Sequence, residues 1–391
     1  MTAALNVNDT KMSGRLYVAF ELGQSQWQLA FTIGLGQAPR LKNVTAGCTS
    51  RALAEIAKAK ERFGLPADAA VVSCYEAGRE GFWLHRWLTT VGVANVIVDS
   101  SSIEVNRRRR RAKSDRLDAL KLVAMLVRYH QGERKIWSVI HVPSPEEEDR
   151  RHFHRQMNAL KEERTALSNA MQGLLYLEGI GGFSVKADFA ERLERLRTWD
   201  DKPVPTGLRA RLLQDFARWR LVDRQIKDLE NARKKLIRCD ETPQVDKVRR
   251  LLMLKGIGLT GSWQLNYEMF GWRNFRNRKQ VGAVVGLTPT PYSSGKSERE
   301  QGISKAGSRQ MRWLAVELGW SWVRHQPNSE LTKWYRRRWD QNSRLRKIGI
   351  VAVARKLLIA LWRYVDQGEV PVGAELVAWE GKLKGHEKMA A

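Results

Sequence analysis

Four carboxylates in the first third of the chain have spacings that suit a metal site. Glu21 follows the first predicted strand, Glu76 ends a later strand within Tyr-Glu-Ala-Gly, and Asp115 and Asp118 open a helix in Lys-Ser-Asp-Arg-Leu-Asp-Ala. Residues three apart share one helix face, so the two aspartates project together. Carboxylate oxygens suit Mg²⁺, with Mn²⁺ as an alternative. Two such ions could activate a nucleophile and stabilise the leaving oxygen in phosphodiester chemistry, whereas any single carboxylate of this kind could equally be only solvated.

A hydroxyl nucleophile is the second chemical candidate. Ser294 lies in Pro-Tyr-Ser-Ser-Gly-Lys, near Lys296, Lys305 and Arg309, whose charges would attract a phosphodiester. No histidine–aspartate pair is evident nearby in the sequence, so the serine would need a metal ion or a cation to activate it. From composition alone a flexible Ser/Gly loop is the simpler interpretation, and Ser293 is an alternative one residue away.

Two basic segments are candidate phosphate contacts. A run of arginines, with Lys113 after it, comes just before Asp115: Arg107, Arg108, Arg109, Arg110 and Arg111. The run suggests a phosphate clamp, although a solvated basic loop has the same composition. Lys255, Gly256 and Gly258 lie in a turn between two predicted helices, where free backbone N–H groups could receive a phosphate. The turn resembles the hairpin of helix-hairpin-helix DNA binders, but many plain helix connections also contain two glycines.

The elements that position the carboxylates follow from hydrophobic runs. Three strands, a helix, a fully apolar strand, a helix, a strand and a long helix are predicted in turn. This β-β-β-α-β-α-β-α order matches ribonuclease-H-like domains. The predicted bounds are 15–20, 26–34, 41–46, 51–63, 70–75, 81–91, 94–98 and 113–130.

The middle of the chain, 136–245, predicts a helical arm. Two heptad seams flank a break at Gly179 and a proline-containing linker, and they favour two long helices that pair with each other or across a dimer. The seam positions are Phe153, Met157, Leu160, Leu167, Met171 and Leu174, then Leu212, Phe216, Trp219, Val222, Ile226, Leu229 and Leu236.

The segment 246–370 predicts a mainly helical domain rich in tryptophan. Basic and aromatic residues interleave there, a pattern that can serve base stacking. Helical spacing instead favours core positions for all but one or two of these indoles. The residues are Trp313, Trp320, Trp322, Trp334, Trp339 and Trp362. Residues 371–391 are predicted to form a tail.

Charge and composition limit the class of protein. The chain has 391 residues, 43% of them hydrophobic, and a formal net charge of +26, which favours a folded nucleic-acid-binding protein. The three cysteines are far apart and have no metal-ligand spacing. Neither a signal-peptide pattern nor a long uncharged apolar segment is present, so a cytoplasmic, nucleoid-associated protein without a membrane partner is expected.

As an ordered set, these motifs resemble the DEDD insertion-sequence transposases, the bridge-RNA-guided serine recombinases. The set is the first acidic residue, Tyr-Glu-Ala-Gly, Lys-Ser-Asp-Arg-Leu-Asp-Ala, the arm, Leu-Lys-Gly-Ile-Gly, Val-Gly-Leu-Thr-Pro, Ser-Ser-Gly and Ile-Ser-Lys-Ala-Gly-Ser-Arg, over about 15–365. The resemblance implies a RuvC-like DEDD domain at 1–135, a coiled-coil arm at 136–245 and a C-terminal transposase domain at 246–370. It also implies donor and target DNA, a noncoding bridge RNA and a homodimer that assembles to a tetramer.

Carried over by position, the resemblance makes Glu21, Glu76, Asp115 and Asp118 the Mg²⁺ ligands and Ser294 the residue that attacks DNA in a composite site. The family usually has aspartate at the first position, and the extra methylene of Glu21 moves the carboxylate by about 1.5 Å. Two other functions use the same residues differently. A structure-specific, junction-type nuclease would use water as its nucleophile, and a non-catalytic nucleic-acid-binding protein would retain only the charge.

Overall fold

The computed structural model describes residues 14–103, 114–294, 297–339 and 343–384. The chain divides into two compact units, with the boundary between Val142 and Pro143. Within the described ranges, no helix has both the length and the apolar character needed to cross a membrane.

The N-terminal unit is built on a five-stranded mixed sheet in the order β3-β2-β1-β4-β5. β1 pairs antiparallel with β2 and parallel with β4, and β4 pairs parallel with β5. The strands are β1 (Arg15–Leu22), β2 (Gln26–Thr32), β3 (Arg40–Thr45), β4 (Ala70–Glu76) and β5 (Ala94–Val98).

Helices cover both faces of this sheet. The helices are α1 (Thr49–Arg62), α2 (Trp83–Thr90) and α3 (Asp115–His130). Apolar residues of α1 and α2 pack on the face that carries Val18 and Phe20, and those of α3 pack on the face that carries Ala19 and Cys74. Strand residues alternate between faces, so the continuous apolar runs of β1 and β4 are buried on both sides.

The predicted order of elements is confirmed, and the ends differ by a few residues. β1 continues to Leu22, so Glu21 lies inside the strand rather than after it. β4 includes Glu76 as its last residue. Trp137, together with Ile140 and Val142, packs in the cores of this unit, so its chain continues past the predicted boundary at 135.

The second unit is mainly helical, with one two-stranded sheet of β6 (Pro289–Ser294) and β7 (Ser297–Ile303). Its helices are α4 (Pro145–Leu177), α5 (Phe189–Glu194), α6 (Thr206–Cys239), α7 (Pro243–Met253), α8 (Leu259–Leu265), α9 (Arg278–Val284), α10 (Arg309–His325), α11 (Glu330–Trp339), α12 (Ser343–Gln367) and α13 (Trp379–Lys384).

The long helices α4 and α6 pair antiparallel within one chain. Lys161 Nζ is 2.8 Å from Glu230 Oε1, and the Trp219 indole N–H donates to Ser168 Oγ at 2.9 Å. Because the residue number rises on one helix as it falls on the other, the pair is a hairpin. The apolar seams are therefore covered in cis, and they do not by themselves require a second copy.

The predicted seams of α4 and α6 are each confirmed in part. On α6 the predicted positions from Leu212 to Ile226 are buried, but Leu236 is only partly buried and its neighbour Ile237 is buried instead. On α4, Leu175 is fully buried while Leu174 is only partly so, and His154 is buried beside Phe153. Both seams shift because an undistorted helix has 3.6 residues per turn and drifts away from a strict seven-residue repeat.

His154 is a buried imidazole near the base of the arm. The side-chain amides of Asn158, at 3.0 Å, and Gln264 both contact its Nε2. An amide nitrogen only donates, so Nε2 is the acceptor of these contacts. Burial, and secondly the positive charge of Arg233, lower the pKa of His154 from 6.5 to about 4.

Acid is expected to destabilise the second unit through His154. Between these two pKa values the unfolded chain binds a proton that the folded chain does not, so stability falls as the pH falls. From about pH 7 to about pH 5, the wild type should lose about 2 kcal/mol more than His154→Gln. Urea unfolding at both pH values measures the difference. The exposed neighbour His152 provides the control, and acid sensitivity equal in the wild type and both His→Gln variants would contradict the assignment.

The tryptophans of the C-terminal domain differ in their exposure. Trp322 and Trp362 are buried, whereas Trp313 and Trp320 are the exposed pair. Residues 371–391, predicted as a tail, pack as far as Lys384: Leu376 pairs with Leu254, and Leu383 is buried. Within the predicted tail, Leu376 and Leu383 thus contact residues of the preceding helical domain.

Candidate active site

The parallel pairing of β1 and β4 brings two of the predicted carboxylates side by side. Phe20 and Tyr75 are the last residues paired between these two strands, and Glu21 and Glu76 are the next residue on each strand. Two residues earlier on each strand, Ala19 and Cys74 face α3. Because side chains alternate along a strand, Glu21 and Glu76 leave the sheet on the α3 side.

The first turn of α3 brings the two aspartates to the same edge. Ser114 caps the helix, and its hydroxyl accepts from the Leu117 N–H at 3.4 Å. Gly23 directly follows β1, and a Cβ there would be 3.9 Å from Asp115 Oδ2 and 2.4 Å from Gln26 O. Asp115 therefore lies at the carboxyl end of β1. Negative charge in a first helical turn is favourable, which suits both Asp115 and Asp118.

The donor set is chemically suited to a hard divalent cation, since all four groups supply oxygen. In the described part of the chain, no three His, Cys, Asp or Glu side chains are grouped as ligands of one ion. Glu21, Glu76 and Asp115 therefore lie at one edge of the N-terminal unit, with Asp118 one turn further along α3, and they are not closed into a ligand cluster.

Asp99 is an acidic residue at this edge that the sequence reasoning missed. It follows β5, whose last residue, Val98, is paired with Glu76. The Asp99 backbone N–H donates to Ser138 O at 2.9 Å, which fixes the chain there. A strand followed directly by an acidic residue was the available signal, because the same pattern singled out Glu76.

The hairpin β6–β7 contains the predicted nucleophile. Ser294 is the last residue of β6 and pairs with Ser297, while Ser293 pairs with Glu298. The expectation of a flexible loop is wrong for the backbone of 289–294 and 297–303. Seven of the predicted phosphate contacts, namely Arg107 to Arg111, Lys113 and Lys296, lie outside the described residues.

Two tight turns hold the base of this hairpin against the start of α10. The backbone N–H of Lys305 donates to Gly286 O at 3.1 Å, and that of Ser308 donates to Val284 O at 3.2 Å. Arg312 Nη1 donates to Val285 O at 3.1 Å and to Lys305 O at 3.0 Å. Lys305 is thus fixed through its backbone, and Arg309 is an exposed residue at the start of α10.

Gly307 is a position where only glycine fits. Its φ is +86°, and a Cβ there would be 2.2 Å from Val284 O. We expect Gly307→Ala to cost about 3 kcal/mol or more and to displace the hairpin, because a backbone carbonyl cannot move aside cheaply. Thermal unfolding of the second unit measures this loss.

Gly302 provides the matched control for Gly307. Its φ is +83°, yet nothing lies within 4 Å of an added Cβ. Gly302→Ala should therefore lower the free energy of unfolding by only about 1 kcal/mol, the cost of placing alanine at a positive φ. Equal destabilisation by the two substitutions would show that the contact between the turns does not hold the hairpin.

The turn Lys255–Gly258 is packed more closely than a free phosphate-binding turn would require. Lys255 Nζ is 2.7 Å from Glu375 Oε2, and Ser321 Oγ donates to Gly256 O at 2.6 Å. Lys382 Nζ donates to Leu254 O and Ile257 O, and burial lowers the pKa of Lys382 to about 8. Gly258 is exposed at the start of α8. Phosphate binding by Lys255, Gly256 and Gly258 stays a prediction.

Comparison with known proteins identifies the family. A family model described as "Transposase IS116/IS110/IS902 family" matches residues 248–334. The putative transposase y4rJ of Sinorhizobium fredii is 39% identical over 380 residues, which span 92% of this chain and 94% of that protein. This chain belongs to the IS116/IS110/IS902 family of transposases.

More distant relatives agree with this assignment. The transposase for insertion sequence element IS1328 of Yersinia enterocolitica is 28% identical over 243 residues, 59% of this chain and 68% of the relative. The transposase for IS1111A of Coxiella burnetii is 25% identical over 212 residues, 54% of this chain and 56% of the relative. In this transposase-family chain, the stretch matched by the family model contains the Lys255–Gly258 turn, the β6–β7 hairpin and α10.

Proposed function

We propose that this chain is an insertion-sequence transposase that cuts DNA and rejoins it through a serine–DNA intermediate, guided by a noncoding bridge RNA. The observation that carries the proposal is the placement of Glu21, Glu76 and Asp115 at one sheet edge, in a chain 39% identical to a transposase. Paired carboxylates at a strand edge, close to the start of a helix, suit phosphodiester chemistry.

A RuvC-like, ribonuclease-H-like fold for the N-terminal unit is part of this proposal. The sheet order β3-β2-β1-β4-β5, with β2 antiparallel to its neighbours, supports it. So does α3, which packs on the sheet face toward which Glu21 and Glu76 project. In this arrangement the acidic residues of three separate elements share one edge.

Glu21, Glu76, Asp115 and Asp118 are the residues that would hold Mg²⁺. When bound, the ion would supply positive charge that polarises a phosphate and stabilises developing negative charge on oxygen. The protein's own contribution is to hold these carboxylates at one edge. The capped start of α3 contributes to this, because the helix dipole favours negative charge there.

The serine step exchanges one phosphodiester bond for another, so the number of these bonds does not change. Ser294 Oγ would form a bond to phosphorus while the bond from phosphorus to a deoxyribose oxygen breaks. The serine proton leaves to solvent, and the released oxygen takes up a proton as a free hydroxyl. Attack by a hydroxyl of another DNA end reverses these changes and restores the serine. Cutting and joining by this route need no external energy source, which water as a nucleophile would require for rejoining.

Basic groups would hold the nucleic acids. The net charge of +26 favours phosphate binding through counterion release. The proposed contacts are Arg107–Arg111, Lys113, Lys255, Lys296, Lys305 and Arg309. Donor DNA, target DNA and the bridge RNA are the proposed partners, and base pairing in the RNA would choose the sites. A homodimer that assembles to a tetramer is proposed for the active form.

The proposal is tested by strand joining with purified protein. The reaction contains Mg²⁺, DNA from the ends of the element, target DNA, and RNA transcribed from the adjoining noncoding region. We expect joined products only when both the RNA and Mg²⁺ are present, and a change in the pairing segment of the RNA should redirect the joint.

Three outcomes would contradict parts of the proposal. If joining is equally efficient without RNA, the bridge RNA does not guide the reaction. Cleavage without joining favours the water-using, junction-type nuclease. Binding without any cleavage, across matched and mismatched RNAs, favours the non-catalytic nucleic-acid-binding protein.

A further inference from the structure

Two tryptophans stand out on the surface of α10. Trp313 is 61% exposed and Trp320 is 40% exposed, whereas Trp322 on the same helix is fully buried. They are seven residues apart, so they lie on one face two turns from each other, about 10.5 Å along the axis. Trp313 and Trp320 thus present two aromatic side chains on one side of α10.

The surroundings of these indoles are polar and largely basic. Arg309 and Arg324 are exposed on the same face, one beyond each tryptophan. Glu317 is the acidic residue between the two indoles. The remaining exposed positions of α10, Gln310 and His325, are polar. On α10 itself, the exposed positions around the two indoles thus carry charged or polar side chains.

The neighbouring helix adds positive charge. α12 packs along α10, since a Cβ at Gly319 would be 3.4 Å from Ile350 O and 3.5 Å from Ala354 N. The first turns of α12 expose three basic residues, Arg344, Arg346 and Lys347, together with the apolar Leu345 and Ile348. Aromatic faces among basic side chains are the usual composition of surfaces that bind single-stranded nucleic acid.

We propose that Trp313 and Trp320 form a stacking surface for unpaired nucleotides, with Arg309 and Arg324 on the flanking phosphates. The inference rests on the proposed function, because it names how this transposase holds a strand that is not in a duplex. α10 begins directly after the hairpin that ends in Ile303, so the surface and Ser294 belong to one compact unit. Stacking is indifferent to the sugar, so unpaired DNA and unpaired RNA share this chemistry.

The test measures equilibrium binding of labelled oligonucleotides to the full-length protein at one fixed salt concentration. The probes are a short oligothymidine, an oligouridine of equal length, an abasic strand of equal length, and a duplex. We expect Trp313→Ala to weaken binding of the base-bearing strands about tenfold, and Trp313→Ala/Trp320→Ala to weaken it about a hundredfold. Binding of the abasic strand and the duplex should not change. If the variants lose more affinity for oligothymidine than for oligouridine, the surface prefers unpaired DNA, and the reverse result indicates unpaired RNA.

Trp83→Ala is the matched control. Trp83 is 40% exposed, as Trp320 is, but it lies on α2 and its indole N–H donates to Glu80. This variant should bind every probe as the wild type does. Trp313→Phe should retain part of the stacking and recover part of the affinity.

Two results would overturn the inference. If the tryptophan variants lose affinity equally for abasic and base-bearing strands, or lose none, the indoles do not stack on bases. A change of oligomeric mass in sedimentation, with unchanged binding, would make this face an interface with a second copy. Failure of the proposed function is separable, since it requires the wild type itself to join no DNA whatever these variants bind.

Discussion

Ser294→Ala is expected to reduce the rate of DNA strand joining by at least about a thousandfold. The substitution removes one hydroxyl, and alanine keeps the backbone pairing of the residue with Ser297. Binding of DNA and RNA should stay close to that of the wild type. The measurement is single-turnover joining of labelled donor and target ends in the presence of RNA and Mg²⁺.

Ser293→Ala is the control for this effect, because it removes the same group one position earlier. We expect this variant to join DNA at a rate within a few-fold of the wild type. The reverse result, in which Ser293→Ala is inactive and Ser294→Ala is active, would move the nucleophile by one residue. If both variants and the double variant are fully active, neither serine is the nucleophile.

Asp115→Asn is expected to lower the same rate at least about a hundredfold, with little effect on folding. Asparagine has the shape of aspartate but lacks the charge, and it would leave the carboxylate edge one negative charge short. Its cost to the first turn of α3 is small, about 0.5 kcal/mol from the lost interaction with the helix dipole. The rate should be followed across a range of Mg²⁺ concentrations.

Asp68 provides the matched control for Asp115. It is exposed just before β4, at the opposite end of that strand from Glu76. Asp68→Asn should join DNA as the wild type does. If Asp115→Asn retained wild-type rates at every Mg²⁺ concentration, the carboxylate edge would have no part in the reaction.

Most of the N-terminal unit could be predicted from its sequence because its signals are local. The apolar runs of β1 and β4 and the capped start of α3 are each visible in a few consecutive residues. The alignment of Glu21 with Glu76 is a different matter. It depends on the parallel register of two strands far apart in sequence, which only the packed sheet defines.

Register and exposure in the second unit could not be predicted in the same way. Heptad counting marked Leu174, but the drift of a real helix buries Leu175. Helical spacing favoured core positions for most tryptophans without telling Trp313 from Trp322. Which side of α10 meets the core is fixed by its contacts with α12, which lie outside the helix's own sequence pattern.

The hairpin is the least predictable part of the candidate site. Serine, glycine and lysine are typical of a loop, and that composition hid two paired strands. The strands are held at their base by Gly286 and Gly307, where two turns meet at distances that exclude a side chain. Each glycine alone is a weak signal, and the reason for both appears only when the turns are seen together.

Locating the covalent bond would test the serine mechanism most directly. The wild type is incubated with RNA, Mg²⁺ and a DNA end that cannot be rejoined, and the protein-linked DNA is trimmed with nuclease and examined by peptide mass spectrometry. We expect a nucleotide phosphate on the peptide that contains Ser294, with fragmentation placing it on that residue, and none in Ser294→Ala or without RNA. DNA cleaved in full with no protein-linked nucleotide, or a nucleotide attached to another residue, would contradict a serine mechanism.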